Sequence, residues 1–279
     1  MSGAGSGATN RIDATFARVK AEGRIGLFPY LAAGYPDRQS CVRLLDVMAR
    51  AGADGFELGI PFSDPLADGV TMQKASARAL DQGITLAGAF EIVAEFRQLH
   101  PTVPVVMMSY VNPLLAYGFD RLCADAATIG VDGFIVPDMP LEEAATLAEA
   151  AKARGLHYVY FLAPTSNQER IDAVGAASSG FIYCVALVGT TGARAELSPE
   201  LAPFLKRARA ATDTPLVVGF GISTPAHVAG LVGQADGAIV SSAIANLIDE
   251  TSDDEVDSAV ARFVAELRAA TSGATAAAR

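Results

Sequence analysis

Positive charge is scarce in this sequence. Its 279 residues include 21 Lys and Arg against 31 Asp and Glu, so the formal net charge at pH 7 is −10. No basic cluster occurs, and proteins that bind nucleic acid or anionic membranes carry such clusters. The sequence therefore argues against a nucleic acid or a membrane surface as the partner.

Long apolar runs are also missing. Hydrophobic residues make up 51% of the chain, which is enough for a sizeable core. Yet the longest apolar runs, such as residues 103–108, are too short to cross a bilayer. No charged stretch followed by an apolar one opens the sequence in the manner of a secretory signal. We therefore expect a cytoplasmic protein without a membrane span.

Cysteine and histidine are few and scattered. The cysteines are odd in number and form no CxxC pair, so we predict reduced, buried thiols. The histidines form no HxxxH or triad-like motif, so we predict no metal site. These residues are Cys41, Cys123, Cys184, His100, His157 and His227.

Short apolar segments alternate with helical ones along the whole chain. The segments are almost continuously apolar, which is typical of parallel strands buried on both faces. Eight strand–helix units predict an α/β fold, a single-domain (β/α)8 TIM barrel with extra helices. The alternative, an open doubly wound sheet, favours a GxGxxG turn after its first strand, and residues 34–36 are Gly-Tyr-Pro. The predicted strands cover residues 26–32, 55–60, 103–108, 133–136, 158–162, 181–187, 216–218 and 237–240.

The ends of the chain differ in composition from its centre. Residues 1–10 are rich in Gly, Ser and Ala and are predicted to be disordered. The barrel is expected over residues 11–270, and the small residues of 271–279 are expected to fray. Within the barrel, residues 114–129 are predicted as one helix, and Pro140 is predicted at the first position of the next helix.

The segment from Phe56 to Gly69 reads FELGIPFSDPLADG and carries the most unusual acidic residues. Glu57 lies inside an apolar strand, where a carboxylate is costly unless it is paired or functional. Asp68 lies on the loop that leaves this strand, so the two carboxylates can face one pocket. The alternatives are a buried ion pair for Glu57 and a turn role for Asp68.

Three later strand ends carry small residues. They read GTTG at 189–192, GFGIS at 219–223 and Ser-Ser at 241–242. Backbone N–H groups near helix N-termini suit a phosphate, and the last two loops of this fold commonly bind one. The pattern therefore predicts a phosphate site, in which Arg194 either assists or is simply solvated.

Two tyrosines and one aspartate at strand ends are open to more than one interpretation. Tyr110 follows strand three, and it either contacts the substrate or closes the barrel. Tyr183 in strand six leaves the same alternatives. Asp138, at the end of strand four, is interpreted as a group that holds the Asp68 loop or another pocket-side group in place.

The phrase ELGIPFSDPLADG resembles the signature of the tryptophan synthase α subunit family. Further similar pieces are FPYLAAGYPD, MMSYVNPLLAYGF, GFIVPDMP, VGTTGAR, GFGIS and SSAI, so the resemblance spans about residues 11–270. It implies a (β/α)8 lyase of tryptophan biosynthesis that cleaves indole-3-glycerol phosphate to indole and glyceraldehyde 3-phosphate.

The resemblance also implies roles for single residues. Glu57 would be the general acid/base. Asp68 would hold the indole N–H and stabilise the positive charge of the indolenine form. Backbone N–H groups would hold the phosphate, and Tyr30 and Tyr183 would line the indole pocket. The full set of predicted substrate-binding residues is Tyr30, Tyr110, Tyr183, Thr191, Gly192, Gly221, Ser241 and Ser242.

The family implies a partner, a β subunit in an α2β2 assembly. The β subunit uses pyridoxal phosphate, and no cofactor is expected in this chain. Loops 63–69 and 188–196 would close over the substrate. The sequence departs from the family at Val70, where Pro is more frequent, at Ser241, where Gly is usual, and in the loop 187–191, where many relatives have Ser-Arg. A stand-alone indole-releasing lyase and a non-catalytic phosphate-binding barrel are the alternative functions, and the presence of both Glu57 and Asp68 argues against the second.

Overall fold

The computed structural model of the chain describes residues 9–186 and 197–272. Eight parallel strands form a closed barrel in chain order, and the last strand pairs with the first. This confirms the predicted (β/α)8 fold. The strands are β1 (Gly26–Ala32), β2 (Phe56–Gly59), β3 (Val105–Met108), β4 (Gly133–Ile135), β5 (His157–Leu162), β6 (Ile182–Val185), β7 (Leu216–Gly219) and β8 (Gly237–Val240).

Helices surround the barrel and bury one apolar stripe each against it. The last helix shows the pattern, since Val256, Val260, Val264 and Leu267 recur at helical spacing and are all buried. The helices are α1 (Arg11–Ala21), α2 (Arg38–Arg50), α3 (Val70–Asp81), α4 (Leu86–Leu99), α5 (Val111–Tyr117), α6 (Phe119–Ile129), α7 (Ala145–Lys152), α8 (Gln168–Ala177), α9 (Leu201–Ala211), α10 (Pro225–Leu231), α11 (Ser242–Glu250) and α12 (Val256–Ala270).

Two helix boundaries differ from the prediction. Residues 114–129 belong to two helices rather than one, because Gly118 adopts a positive φ of 90° between α5 and α6. Pro140 does not start α7. Its carbonyl instead accepts the N–H groups of Glu143 and Ala144, which closes a separate turn before the helix begins at Ala145.

Both ends of the barrel domain reach slightly beyond the predicted limits. Asn10 caps α1, and its side-chain amide also donates to the carbonyls of Asp132 and Gly155 at 3.0 and 2.9 Å. Thr271 is fully buried, and its carbonyl accepts the N–H of Ile25 at 3.1 Å. Both residues are held by hydrogen bonds to residues far away in the sequence. The composition of the chain ends does not reveal such hydrogen bonds. The predicted terminal segments 1–8 and 273–279 lie outside the described residues.

One aromatic ring fills the amino-terminal end of the barrel. A methyl group placed on Gly26 or Gly55 would come within 2.6 or 2.7 Å of the Phe28 ring. These glycines therefore provide the space for Phe28, which also packs against Phe16 and Phe181. The amino end of the barrel is thus a packed core, and the open end must be the other one.

Three aspartates fasten strand starts at this closed end. Asp54 donates its N–H to the Leu27 carbonyl at 2.8 Å and accepts the Leu27 N–H at 3.0 Å. Asp132 holds Val105, and Asp236 holds Leu216, by the same two contacts. Each aspartate also pairs with at least one arginine: Arg24 and Arg18 for Asp54, Arg97 and Arg11 for Asp132, and Arg209 for Asp236.

We expect Asp54→Asn to lower the free energy of unfolding by about 3 kcal/mol, because it removes the buried counter-charge of Arg24 and leaves this arginine only the more exposed Glu22. Burial raises the pKa of Asp54, but hydrogen bonds from Arg24 and the Leu27 N–H more than offset this, so the pKa is lowered. The difference is therefore present at pH 7 and fades as the pH falls through the folded-state pKa. Urea unfolding at pH 7 and pH 3 measures it, with exposed Asp253→Asn as the control. Equal stability of Asp54→Asn and the wild type at pH 7 would show that the Asp54 ion pairs do not stabilise the fold.

Candidate active site

A cavity of about 270 Å³ opens at the carboxyl ends of the barrel strands. Seven of the predicted site residues line it, and they come from five different strand ends. The lining residues are Tyr30, Glu57, Asp68, Gly69, Val70, Thr71, Met72, Met108, Pro137, Phe161, Tyr183, Phe220, Gly221, Ser241 and Ser242.

Glu57 points into the cavity from β2, where it pairs with Tyr30 of β1 and Val106 of β3. The residue is 5% exposed, and its Oε2 atom is buried without a hydrogen-bond partner among the described residues. It also forms no ion pair in that part of the chain, so the ion-pair alternative finds no support there. Burial, reinforced by the negative charge of Asp68, raises the pKa of Glu57 to about 8. The side chain is therefore mostly a neutral acid at pH 7.

Asp68 lies on the loop between β2 and α3. Its N–H donates to the Pro65 carbonyl at 3.0 Å, and its carbonyl accepts the amide of Gln73 at 2.9 Å. Partial burial raises the pKa of Asp68 to about 6, and the neighbouring Tyr110 hydroxyl opposes this shift. At pH 7 Asp68 is therefore mostly ionised while Glu57 is mostly protonated, so the two carboxyl groups have different chemical roles.

Tyr110 supports the Asp68 loop and does not line the cavity. Its hydroxyl oxygen accepts the Ala67 N–H at 3.0 Å, and its ring stacks on Phe62 with centroids 5.4 Å apart. Among the described residues, Asp138 makes no hydrogen bond to this loop, so the first of its two predicted roles is not observed. It accepts the Val111 N–H at 2.9 Å and so fixes the start of α5, directly after Tyr110.

Tyr30 and Tyr183 lie across glycines of the next strand. A methyl group on Gly59 would be 2.0 Å from the Tyr30 hydroxyl oxygen, and one on Gly219 would be 2.1 Å from that of Tyr183. Neither glycine has a positive φ, so both are needed for space rather than for backbone conformation. The paired glycines allow both phenols to reach the cavity.

The cavity also has features of an anion site. Phe220 and Gly221 follow β7 with φ values of 64° and 80°, and both line the cavity. Ser241 and Ser242 stand at the start of α11, where the first N–H groups of a helix have no partner within it. Free N–H groups and the positive end of the helix dipole favour an anion here. Thr191 and Gly192, which were predicted to contribute, lie outside the described residues.

The apolar walls of the cavity were missed by sequence reasoning. Phe161 of β5, Met108 of β3 and Pro137 after β4 line it, together with Phe220. Unusual polar residues at strand ends stand out in a sequence, whereas apolar side chains in apolar strands do not. The signal that would have found them is position alone, since side chains near the carboxyl ends of barrel strands face the site.

Among residues 9–186 and 197–272, no group of three His, Cys, Asp or Glu side chains is placed to hold a metal ion. No helix in the same ranges is long and apolar enough to span a bilayer.

The fold and the cavity together define a (β/α)8-barrel enzyme that combines a neutral acid, a carboxylate and the N-terminal N–H groups of a helix in one site. The family model "Tryptophan synthase alpha chain" matches residues 16–274, and the chain belongs to this family. The tryptophan synthase alpha chain of Roseiflexus sp. strain RS-1 is 51% identical over 259 residues, which cover 93% of this chain and 99% of the relative. That of Chloroflexus aggregans is 49% identical over 262 residues, 94% of this chain and 98% of the relative.

Solved structures of this family are similar as well. The tryptophan synthase alpha chain of Legionella pneumophila has a TM-score of 0.88 and 35% identity, covering 96% of this chain and 100% of that one. A chain of tryptophan synthase from M. tuberculosis in its aminoacrylate-bound form has a TM-score of 0.84 and 31% identity, covering 95% and 100%.

We expect Glu57→Gln to gain stability relative to the wild type as the pH rises. The folded-state pKa of Glu57 is about 8 against an ordinary value of 4.5, so wild-type stability declines between these pH values while a glutamine does not titrate. The difference should grow by on the order of a few kcal/mol between pH 5 and pH 9. Urea unfolding across this range measures it, with exposed Glu266→Gln as the control. A difference that does not change with pH would contradict the raised pKa.

Proposed function

We propose that this chain is the lyase that cleaves indole-3-glycerol phosphate to indole and glyceraldehyde 3-phosphate, as the α subunit of tryptophan synthase in tryptophan biosynthesis. The observation that carries the proposal is the pair of carboxyl groups held in opposite protonation states beside free backbone N–H groups. Membership of the family supports the choice of substrate.

The phosphate is proposed to bind at the loop after β7 and at the start of α11. Gly221, Ser241 and Ser242 would offer backbone N–H groups, which hold a dianion without the need for a nearby lysine or arginine. Ser241 is followed by a helix of nine residues, whose dipole adds to the attraction. The Ser241 side chain adds a Cβ where the family usually has glycine, and its N–H remains available.

The indole ring is proposed to lie between Phe161, Tyr183 and Phe220. Tyr183 packs on Phe161 with centroids 4.8 Å apart and on Phe220 at 5.7 Å, which forms an aromatic wall. The transfer of an aromatic substrate from water to such a wall is favourable. The polar indole N–H would then be oriented toward the Asp68 carboxylate.

The reaction needs a proton delivered to carbon 3 of the indole ring, and Glu57 is proposed to supply it. Protonation gives an indolenine cation, whose charge the Asp68 carboxylate stabilises. The Glu57 carboxylate then takes the proton of the glycerol hydroxyl next to the ring. The carbonyl forms as the carbon–carbon bond breaks, and the bonding electrons return to the ring. Glu57 is thereby protonated again, so one side chain serves as acid and then as base.

A partner is proposed at the rim of the cavity. Leu66 is 89% exposed and Val70 is 68% exposed, and both lie beside Asp68 on the loop and first turn that follow β2. Large apolar residues exposed together favour contact with another protein. We propose that this partner is the β subunit, which would carry the pyridoxal phosphate, and that the assembly is cytoplasmic.

We expect Glu57→Gln to reduce indole release by at least ~10²-fold, because glutamine keeps the shape but neither gives nor takes the proton. Asp68→Asn should be impaired on a similar scale, because the neutral amide no longer stabilises the cation. An indole-release assay on the purified chain, with and without a β subunit, measures both. Circular dichroism and thermal unfolding verify the fold of each variant. Wild-type turnover by Glu57→Gln would remove Glu57 from the mechanism.

The pH dependence of kcat/KM should be bell-shaped. The rate requires ionised Asp68 and protonated Glu57, so it should fall below about pH 6 and above about pH 8. Tyr110→Phe removes the hydroxyl that opposes the raised pKa of Asp68, so the acidic limb should move to higher pH while the basic limb stays. Tyr160→Phe, a buried barrel tyrosine outside the cavity lining, is the matched control. An unchanged acidic limb in Tyr110→Phe would show that Tyr110 does not act on Asp68.

A further inference from the structure

One buried histidine contacts the loop that carries Gly221. His227 is the third residue of α10 and is 5% exposed. Its Nδ1 atom accepts the backbone N–H of Ser223 at 3.3 Å and lies 3.4 Å from the Ser223 hydroxyl oxygen. The ring thus folds back from the helix onto the loop between β7 and α10.

The backbone donor determines which ring nitrogen carries the proton. A peptide N–H can only donate, so Nδ1 is an acceptor and the neutral ring carries its hydrogen on Nε2. That Nε2 atom is buried without a hydrogen-bond partner among the described residues. Within the described part of the chain, the ring is therefore held through Nδ1, and Ser223 is the residue on which this contact acts.

The loop that His227 holds is conformationally demanding. Phe220 has a φ of 64°, which is unusual for a residue with a side chain, and Gly221 follows with 80°. Only Ile222 separates Gly221 from Ser223. Over so short a distance, holding the Ser223 N–H limits the directions that the Gly221 peptide can take.

The rest of the loop has its own supports. At its start, the Gly219 carbonyl accepts the Ala186 N–H at 3.0 Å within the barrel. At its end, the Thr224 hydroxyl accepts the His227 N–H at 3.2 Å and caps α10. Ser223 lies between these supports, and the histidine ring is the group that holds its N–H.

We propose that His227 is a positioning residue of the anion site, which holds Ser223 through Nδ1 so that the Gly221 N–H stays directed at a phosphate monoester. This inference rests on the proposed function only for the identity of that phosphate, which is the phosphate group of the substrate. His227 itself touches no substrate atom. Its effect is on binding of the anion, in the ground state and the transition state alike.

Two substitutions separate the role of Nδ1 from simple packing. In His227→Asn the side-chain oxygen occupies the place of Nδ1 and can accept the Ser223 N–H. In His227→Gln the oxygen occupies the place of Nε2 and cannot. We expect His227→Asn to keep KM within about twofold of the wild type. His227→Gln should raise KM about tenfold with little change in kcat, which is the signature of lost uniform binding.

Inorganic phosphate is the direct probe, because its binding does not depend on the reaction. Titration followed by ³¹P NMR should give a dissociation constant that rises about tenfold in His227→Gln and about twofold or less in His227→Asn. The control pair is His157→Asn and His157→Gln, since His157 starts β5 and pairs with Asp13 away from the cavity. Both control variants should bind phosphate like the wild type.

The outcomes are distinguishable. Equal phosphate affinity in His227→Gln and the wild type overturns the inference, and so does equal weakening in the asparagine and glutamine variants. Absence of phosphate binding by the wild type overturns it too. A wild-type chain that binds phosphate and releases no indole overturns the proposed function instead. The predicted order of phosphate affinities in the variants then still supports His227 as a positioning residue.

Discussion

A carboxyl group buried without a counter-charge is the constraint on which the site depends. Glu57 sits in a strand, and no described residue neutralises or hydrogen-bonds its Oε2 atom. An ionised carboxylate would be very costly in such a place, so the group remains protonated near neutral pH. The nearby Asp68 adds to this effect, because two negative charges in one cavity repel. The burial that costs stability thus creates an acid of suitable strength for protonating an aromatic carbon.

The barrel divides stability and chemistry between its two ends. At the amino end, Asp54, Asp132 and Asp236 each accept a hydrogen bond from the N–H of one residue at a strand start. Phe28 fills the space that the glycines leave there. The carboxyl end differs in the part of the chain that the structure describes. It holds a carboxyl oxygen without a hydrogen bond, a left-handed Phe220 and the start of α11, which has no side-chain cap. Such departures from the lowest-energy arrangement are typical of functional sites, and a rigid scaffold must support them.

The sequence was sufficient to predict the barrel and to place Glu57 and Asp68 at one cavity, for reasons that lie in particular residues. Apolar strands with helices between them indicate a parallel barrel, and Glu57 is visible because it interrupts one of those strands. The support of the site was not predictable. Whether Tyr110 or Asp138 holds the Asp68 loop depends on the path of that loop in space. The contact of His227 with Ser223 depends on the ring conformation at the first turn of α10. The α5–α6 break was missed because a glycine within a helical pattern is often tolerated, whereas the positive φ of Gly118 ends the helix here.

The central claim is that Glu57 is a neutral acid at pH 7. Its most direct test is ¹³C NMR of the chain labelled at glutamate side-chain carboxyl carbons, with Glu57→Gln used to assign the signal. If Glu57 is a neutral acid at pH 7, its signal has the chemical shift of a protonated carboxyl group at pH 7 and titrates near pH 8. A Glu57 signal that titrates at about pH 4.3, as in an unperturbed glutamate, would contradict the account.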